Sequence, residues 1–219
     1  MDVGKLKEKI VNKKRIKTWV NCPMRMMPAY QNIEKYFKGK IISYTVTGIT
    51  GNDVGLITSS IHYLDHVAHL SGTTKFIINT AGLDPRIIPS KRKGFVEFNG
   101  TLTAHYNNGS SANIISYPKG NAPIIVQIHS NNAIYIGRES EHKAWLATEE
   151  NNWQWEELEA PIPFQSQLTT VLVDKILTTG KCDLVSYNES KNIHLNMLEP
   201  LLKFLNKNSK SKYEAYPFT

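Results

Sequence analysis

Four side chains that can transfer protons or bind metal ions fall within one short stretch, SSIHYLDHVAHLSG at 59–72. If this stretch is helical, the spacing i, i+3, i+4 and i+7 places all four on one face: His62, Asp65, His66 and His69. Imidazole and carboxylate groups can hold zinc, can act as acid or base, or can form hydrogen bonds inside a core. Three interpretations are therefore open: a metal centre, an acid/base centre and a purely structural face.

The zinc interpretation requires three convergent ligands with supporting hydrogen bonds. Two histidines at i and i+4 can chelate an ion on a helix, and His62 and His66 have that spacing. The same helix must also bury an apolar stripe that includes Ile61 and Leu64, so we expect His66 and His69 at the margin of the buried face. We therefore predict no metal ligands on this face. A metal-binding protein that uses this helix face is the less favoured alternative.

The composition bounds the class of protein. The 219 residues are 41% hydrophobic and 21% charged, as in globular domains with a packed core. No run of about 18 apolar residues occurs, so we expect no membrane span. The charged start of the chain lacks the apolar stretch of a signal peptide, and Cys22 and Cys182 form no CxxC motif. Both observations favour a reducing cytoplasm.

A net charge of +7 raises the question of nucleic-acid binding. The lysines are dispersed except at the two ends of the chain, and the short KRK at 91–93 has no interleaved aromatic residues that could stack on bases. We therefore predict solvated basic ends and no nucleic-acid partner.

Hydrophobic periodicity predicts helices towards both ends of the chain and strands between them. Helical patterns cover 3–12, 29–40, 55–72, 165–181 and a final helix with Asn188 as N-cap, and strand patterns cover 18–22 and 41–50. Seven more strand patterns follow one another in the middle of the chain: TKFIINTA, KGFVEF, TLTAHY, SANIISY, IIVQIHS, AIYIG and KAWLAT. Turn residues between them indicate hairpins. We predict an α+β fold: an open, largely antiparallel sheet with helices on one face.

The order of these segments resembles the second half of the glucose-fructose oxidoreductase / inositol dehydrogenase (Gfo/Idh/MocA) family. The resemblance extends over nearly the whole chain, and these segments carry it: WVNCPMRMMPAY, FKGK, GLITSSIHYLDHVAHLSG, KGFVEFNGTLTAHYNNGSSANIIS, PFQSQLTTVLVDKIL and CDLVSYNESKNIH. The resemblance implies a C-terminal domain like those of dihydrodipicolinate reductase and glyceraldehyde-3-phosphate dehydrogenase. Residues 1–20 would be the end of a Rossmann domain, and 21–219 the substrate-binding and oligomerisation domain.

The family implies an NAD(P)-dependent enzyme that acts on a sugar or polyol. The chain has no GxGxxG or GxxxxGK[ST] motif and no equivalent of the family's EKP lysine. We therefore expect no cofactor bound by this chain alone, a Rossmann-domain partner for activity, and a homo-oligomer. The sheet predicts the same assembly, since its uncovered face should be apolar enough to pair two chains.

The resemblance also assigns roles to residues. The family's helix usually carries an Asp, then a His four residues later, then often an Asp three residues after that. His62 and Asp65 match the last two positions, whereas Thr58 stands at the first and cannot ionise. His62 is thus the expected catalytic acid/base, which would take the hydroxyl proton as hydride leaves the same carbon. Arg25, Tyr30 and Asp65 are the expected substrate-binding residues. A non-catalytic binding or oligomerisation module is the alternative.

Overall fold

The computed structural model describes residues 16–50 and 55–218 of the chain. The helix predicted at 3–12 lies outside the described residues, as does most of the segment 1–20. The strands in the described part are β1 (Trp19–Val20), β2 (Ser43–Thr50), β3 (Phe76–Asn79), β4 (Ile88–Pro89), β5 (Val96–Glu97), β6 (Gly100–Tyr106), β7 (Ser111–Tyr117), β8 (Ile125–His129), β9 (Ala133–Arg138), β10 (Lys143–Thr148), β11 (Glu156–Glu159) and β12 (Val185–Ser186). All the strand predictions that fall on described residues are confirmed, and β4, β11 and β12 are additional.

Eight of these strands form one sheet in the order β11-β10-β9-β8-β2-β7-β6-β3. Every neighbouring pair is antiparallel except β2 and β7, which run parallel. The parallel pair arises because β2 enters the middle of the sheet, between strands that form hairpins with their chain neighbours. The predicted α+β class with an open, largely antiparallel sheet is confirmed.

Five α-helices and three 3₁₀ turns accompany the strands in the described residues, and the 3₁₀ turns lie at Pro23–Met26, Glu139–Glu141 and Glu149–Asn151. The helices are α1 (Pro28–Gln31), α2 (Glu34–Phe37), α3 (Leu56–Ser71), α4 (Gln165–Thr179) and α5 (Tyr187–Asn208). The single helix predicted at 29–40 is wrong in detail, because this segment forms two short helices. Ile33 N–H donates to the Tyr30 carbonyl, three residues earlier, and this tighter turn separates α1 from α2. None of the helices in the described residues has the length and hydropathy needed to cross a bilayer.

The N-cap predicted for the last helix is also wrong. Ser186, not Asn188, caps α5, and its Oγ accepts a hydrogen bond from Glu189 N–H at 3.3 Å. A serine followed three residues later by glutamate is a stronger start signal than the asparagine, since both side chains can serve the exposed amides.

The alternating pattern of each strand decides which side of the sheet is covered. In β2, Tyr44 and Val46 are buried, and Thr45 and Thr47 are half-exposed. Helix α3 packs against β2 and β7, and α5 packs against β3 and α3. The helices therefore cover the face that carries Tyr44, as predicted, and α3 lies over the centre of the sheet.

The uncovered face is polar at its centre and apolar towards one edge. One row of side chains crosses it in direct register: Trp145, Ile136, Gln127, Thr45, Asn113 and Thr103. The polar part includes a hydrogen bond of 2.9 Å from Thr103 Oγ1 to Asn113 Oδ1. Within this row the apolar surface that the sequence predicts for the whole face lies at the β9–β10 end, and Ile77 of β3, 71% exposed, adds an apolar side chain at the opposite edge.

Candidate functional site

Helix α3 positions the histidines, and a buried carboxylate fixes its N-terminus. Glu97 of β5 accepts hydrogen bonds from Ile57 N–H at 2.8 Å and from Thr58 N–H and Oγ1 at 3.1 and 2.9 Å. Gly55 precedes the helix with φ +85°, and a Cβ there would lie 2.6 Å from the Glu97 carboxylate. Only glycine fits both the backbone conformation and the close approach. The start of α3 is therefore held by a residue some forty positions away.

His62 lines a cavity of about 220 Å³ between α3, the Pro23–Met27 segment and the start of α4. The cavity has a largely apolar wall with a few polar groups: Pro23, Met24, Met27, Ile124, Ile162, Thr58, Ser59, His62, Tyr63, Glu139 and Gln165. Burial, and secondarily the nearby His194, lower the pKa of His62. Its Nδ1 is buried and has no hydrogen-bond partner among the described residues. A neutral imidazole in the wall of a cavity is suited to exchange a proton with a bound hydroxyl.

Glu139 supplies a carboxyl group to this cavity, and the sequence did not indicate it. Its Oε1 accepts a short hydrogen bond from the Tyr30 hydroxyl, and its Oε2 accepts one from the Tyr63 hydroxyl at 3.2 Å. Burial raises the pKa of Glu139, and the two phenol hydrogen bonds act in the opposite direction. The only signal in the sequence is an acidic residue two positions after the predicted strand AIYIG. Its partners are 109 and 76 positions away.

Arg25 and Asp65, both predicted to bind substrate, bind each other. Arg25 Nη2 and Nε donate to the two Asp65 oxygens at 2.7 and 3.1 Å, and both side chains are almost fully buried. Neither residue is among those that line the His62 cavity. Burial raises the pKa of Asp65 to about 6, against the effect of the Arg25 guanidinium. The pair joins the wall segment of the cavity to α3.

Tyr30 also lies behind the cavity and does not line it. It is 1% exposed, and besides its bond to Glu139 it packs on the His66 ring at a centroid distance of 4.5 Å. Tyr30 therefore reaches a ligand only through Glu139, whose carboxylate it orients.

The expectation that His66 lies at the margin of α3 is wrong. His66 is 1% exposed, and its Nδ1 lies 3.0 Å from the Tyr44 hydroxyl of β2. Helix α3 is covered by the sheet on one side and by the Pro23–Met26 turn on another, so polar positions of its stripe are enclosed. Burial lowers the pKa of His66 well below its usual value, followed by the effect of His69 and more distant cations.

His69 is half-exposed and contacts another pair of residues. Its Nε2 lies 3.2 Å from Glu34 Oε1 and 3.0 Å from Lys38 Nζ. The four polar residues of the α3 stripe thus have separate surroundings: a cavity, an arginine, a tyrosine and a surface ion pair. Among the residues that the structure describes, no group of three potential metal ligands converges.

The cofactor that the resemblance implies needs donors for a pyrophosphate, usually at a helix N-terminus. At α3, which follows the central strand β2, the amides of Ile57 and Thr58 are already bound to the Glu97 carboxylate. An anionic carboxylate at this position would repel a phosphate. The start of α3 therefore does not fit the cofactor.

No protein-family model matches this sequence, and no curated protein sequence shows significant similarity to it. Solved structures of oxidoreductases do share its fold. The UDP-N-acetylglucosamine 3-dehydrogenase GnnA from Acidithiobacillus ferrooxidans superposes with a TM-score of 0.67 at 11% identity, over 91% of this chain and 65% of that chain.

Two further structures give the same result. The dehydrogenase MviM from Clostridium difficile has a TM-score of 0.57 at 14% identity, over 91% of this chain and 65% of that chain. An oxidoreductase from Agrobacterium radiobacter, solved with NAD+, L-tartaric acid and magnesium, has a TM-score of 0.62 at 13% identity, over 88% of this chain and 64% of that chain. This chain therefore has the fold of Gfo/Idh/MocA-type oxidoreductases and spans about two thirds of their length.

Proposed function

We propose that this chain is the substrate-binding domain of an NAD(P)-dependent oxidoreductase that acts on a sugar, a polyol or a sugar derivative. The observation that carries the proposal is the position of His62. The histidine lines a largely apolar cavity and has a pKa lowered by burial, which favours its neutral form. In the proposed reaction the neutral imidazole takes the proton of the substrate hydroxyl, and the hydride acceptor is bound by a separate Rossmann domain.

The surface of α4 supports a Rossmann-domain partner. Leu168 and Leu172 are its buried residues, whereas Phe164 and Leu177 are each 79% exposed. This helix begins at Gln165, which lines the His62 cavity. A second domain that covered the apolar residues of α4 would lie beside the cavity, where a hydride acceptor is needed. The two free cysteines, Cys22 and Cys182, favour a reducing cytoplasm as the place of action.

A non-catalytic binding module is the second candidate, and the environment of Thr58 favours it. The family carries an ionisable Asp at this helix position, and here the Thr58 hydroxyl donates to Glu97, which caps the helix. The Thr58–Glu97 hydrogen bond, which stabilises the helix start, thus stands where the family has an ionisable Asp. The cavity would then bind a sugar without oxidising it.

Reconstitution distinguishes the two candidates. We expect the chain alone not to enhance NADH or NADPH fluorescence, and a fusion with a Gfo/Idh/MocA Rossmann domain to oxidise sugars or polyols. In the fusion, His62→Ala should lower kcat by about 10²–10⁴, the usual contribution of a positioned acid/base.

The matched control for this substitution is His69→Ala, on the same helix but outside the cavity, and it should leave kcat within about twofold because surface changes have small effects. NADH binding by the chain alone would contradict the domain assignment. An active fusion that tolerates His62→Ala would contradict the role of the histidine, and an inactive fusion that still binds sugar would favour the binding module.

A further inference from the structure

The His62 cavity contains a charged group that the proposed proton transfer does not use. Glu139 begins the 3₁₀ turn that follows β9, and both of its carboxylate oxygens are held by buried phenols from other elements, Tyr30 of α1 and Tyr63 of α3. Three elements therefore fix the carboxylate in one orientation. A group held so firmly in a cavity wall is preorganised for a ligand.

The hydrogen bonds leave Glu139 with unused capacity to accept. Each carboxylate oxygen has two acceptor sites, and the phenols occupy one on each oxygen. An ionised carboxylate donates nothing, so a ligand group that binds here must be a donor. A hydroxyl satisfies this requirement, whereas a second carboxylate or a phosphate does not.

The rest of the cavity provides no compensating positive charge. No lysine or arginine is among the described residues that line it, and the Arg25 guanidinium is bound to Asp65. The wall opposite the polar groups is formed by apolar side chains that include Met24 and Met27. An anionic ligand would meet a like charge in a poorly solvated space, where repulsion is stronger than in water.

We propose that Glu139 is a ligand-binding residue that accepts a hydrogen bond from a hydroxyl of a neutral sugar or polyol and excludes sugar acids and sugar phosphates from this cavity. This proposal rests on the proposed function, which supplies the substrate class of sugars and polyols. It adds that Glu139 is the residue that selects neutral members of that class. The cavity of about 220 Å³ has room for a compact polyhydroxyl group.

Methionine methyl groups report binding in this cavity without any catalytic activity. Met24 and Met27 line the cavity, whereas Met197 lies in the core and does not line it. The full chain with ¹³C-methyl methionine is titrated at pH 8 with two matched pairs, glucose against glucuronate and galactose against galacturonate. Concentrations on the order of tens of millimolar saturate even a site whose Kd is about 1 mM.

We expect glucose or galactose to shift the Met24 and Met27 resonances saturably, with Met197 unmoved, and the uronates to shift none of them. Glu139→Gln keeps the shape of the side chain and removes its charge. It should weaken binding of the neutral sugar by about tenfold, because a neutral amide oxygen is a weaker acceptor, and should admit the matching uronate. His69→Gln, outside the cavity, is the control and should preserve the preference.

Equal binding of sugar and uronate by the unmodified chain would overturn the proposal, and so would the absence of binding by either. A preference that survives in Glu139→Gln would also overturn it. The Met197 resonance reports whether Glu139→Gln folds. If this variant does not fold, the comparison of sugar with uronate binding to the unmodified chain still tests the proposal. Failure of hydride transfer in the fusion leaves the methyl shifts unaffected, so the two proposals fail separately.

Discussion

Arg25 and Asp65 form a buried ion pair with two hydrogen bonds, of 2.7 Å and 3.1 Å, behind the wall of the His62 cavity. Asp65 lies one helical turn after His62 on α3, and Arg25 lies in the turn that contributes Pro23 and Met24 to the cavity. The pair therefore fixes the distance between the histidine and the opposite wall. In the proposed enzyme, its role is to position the site and not to contact the substrate.

Removing one partner of this pair should destabilise the protein strongly. We expect Asp65→Ala to lower the free energy of unfolding at pH 8 by about 3 kcal/mol, because it leaves the buried Arg25 charge with only the part-exposed Glu189 carboxylate, 4.0 Å away. The double variant Arg25→Met with Asp65→Leu should lose less, since neither charge remains. Urea unfolding measures each value.

The exposed pair Lys175–Asp183 is the control for the buried one. Lys175→Ala should change the free energy of unfolding by less than about 1 kcal/mol. If Asp65→Ala were equally mild but prevented sugar binding, Arg25 and Asp65 would be substrate ligands, as the sequence first predicted.

The buried His66 should make stability depend on pH. Its pKa is lowered in the folded state, so below the unfolded value of about 6.5 the unfolded chain binds the extra proton. Its contribution is therefore complete above about pH 6.5 and falls by up to about 1.4 kcal/mol per pH unit as the solution becomes more acidic. Replacement by Phe should remove this slope, measured by urea unfolding between pH 5 and 8.

Asp65 titrates in part of the same range with the opposite sign, since its folded pKa of about 6 lies above its usual 3.8. The measurement is therefore the difference between the unmodified chain and His66→Phe, in which the contribution of Asp65 cancels. His129→Phe, at an exposed strand end, is the control and should keep the original slope. An identical slope in all three proteins would show that folding does not lower the pKa of His66.

Zinc should not stabilise the protein. The residues of the α3 stripe contact different partners, so an ion would have to break the Arg25–Asp65 pair or the His66–Tyr44 contact to gather three ligands. We expect the same Tm with zinc and with a chelator, because only binding to the folded state raises Tm. A rise in Tm with zinc that disappears in His62→Ala and persists in His129→Ala would establish a metal site on this face.

The apolar end of the uncovered sheet face should mediate self-association. Trp145 and Ile136 are directly opposed on β10 and β9, half-exposed and uncovered by any described helix. We expect a dimer at concentrations on the order of tens of micromolar, as for an interface of standard size. Trp145→Glu should weaken the dimer at least about tenfold by placing a charge in the contact, measured by light scattering.

Thr103→Glu tests the polar part of the same face and should leave the dimer intact. A monomer in the unmodified chain would contradict the predicted dimer. Dissociation by Thr103→Glu alone would show that the interface lies elsewhere than at the β9–β10 end.

The sequence contained enough information for the fold because its signals are local. Alternation along β2 and turn residues between later strands identified the sheet, and the apolar stripe around Leu64 with the stop at Gly72 identified α3. Signals that depend on one or two side chains were less reliable. The break between α1 and α2 and the cap at Ser186 were both missed, since single hydrogen bonds decide them.

The sequence by itself determined that His62, Asp65, His66 and His69 share one stripe of one helix, because a helical repeat fixes direction from spacing alone. Only the tertiary structure decided what each of them faces: His62 a cavity, Asp65 an arginine, His66 a tyrosine of the central strand and His69 a surface glutamate. It also brought Glu139 beside His62 from far along the chain. The physical reason is that the burial and the partners of a helical residue depend on the elements packed around the helix. Those elements come from distant parts of the chain, and such long-range contacts leave no periodic pattern in the sequence.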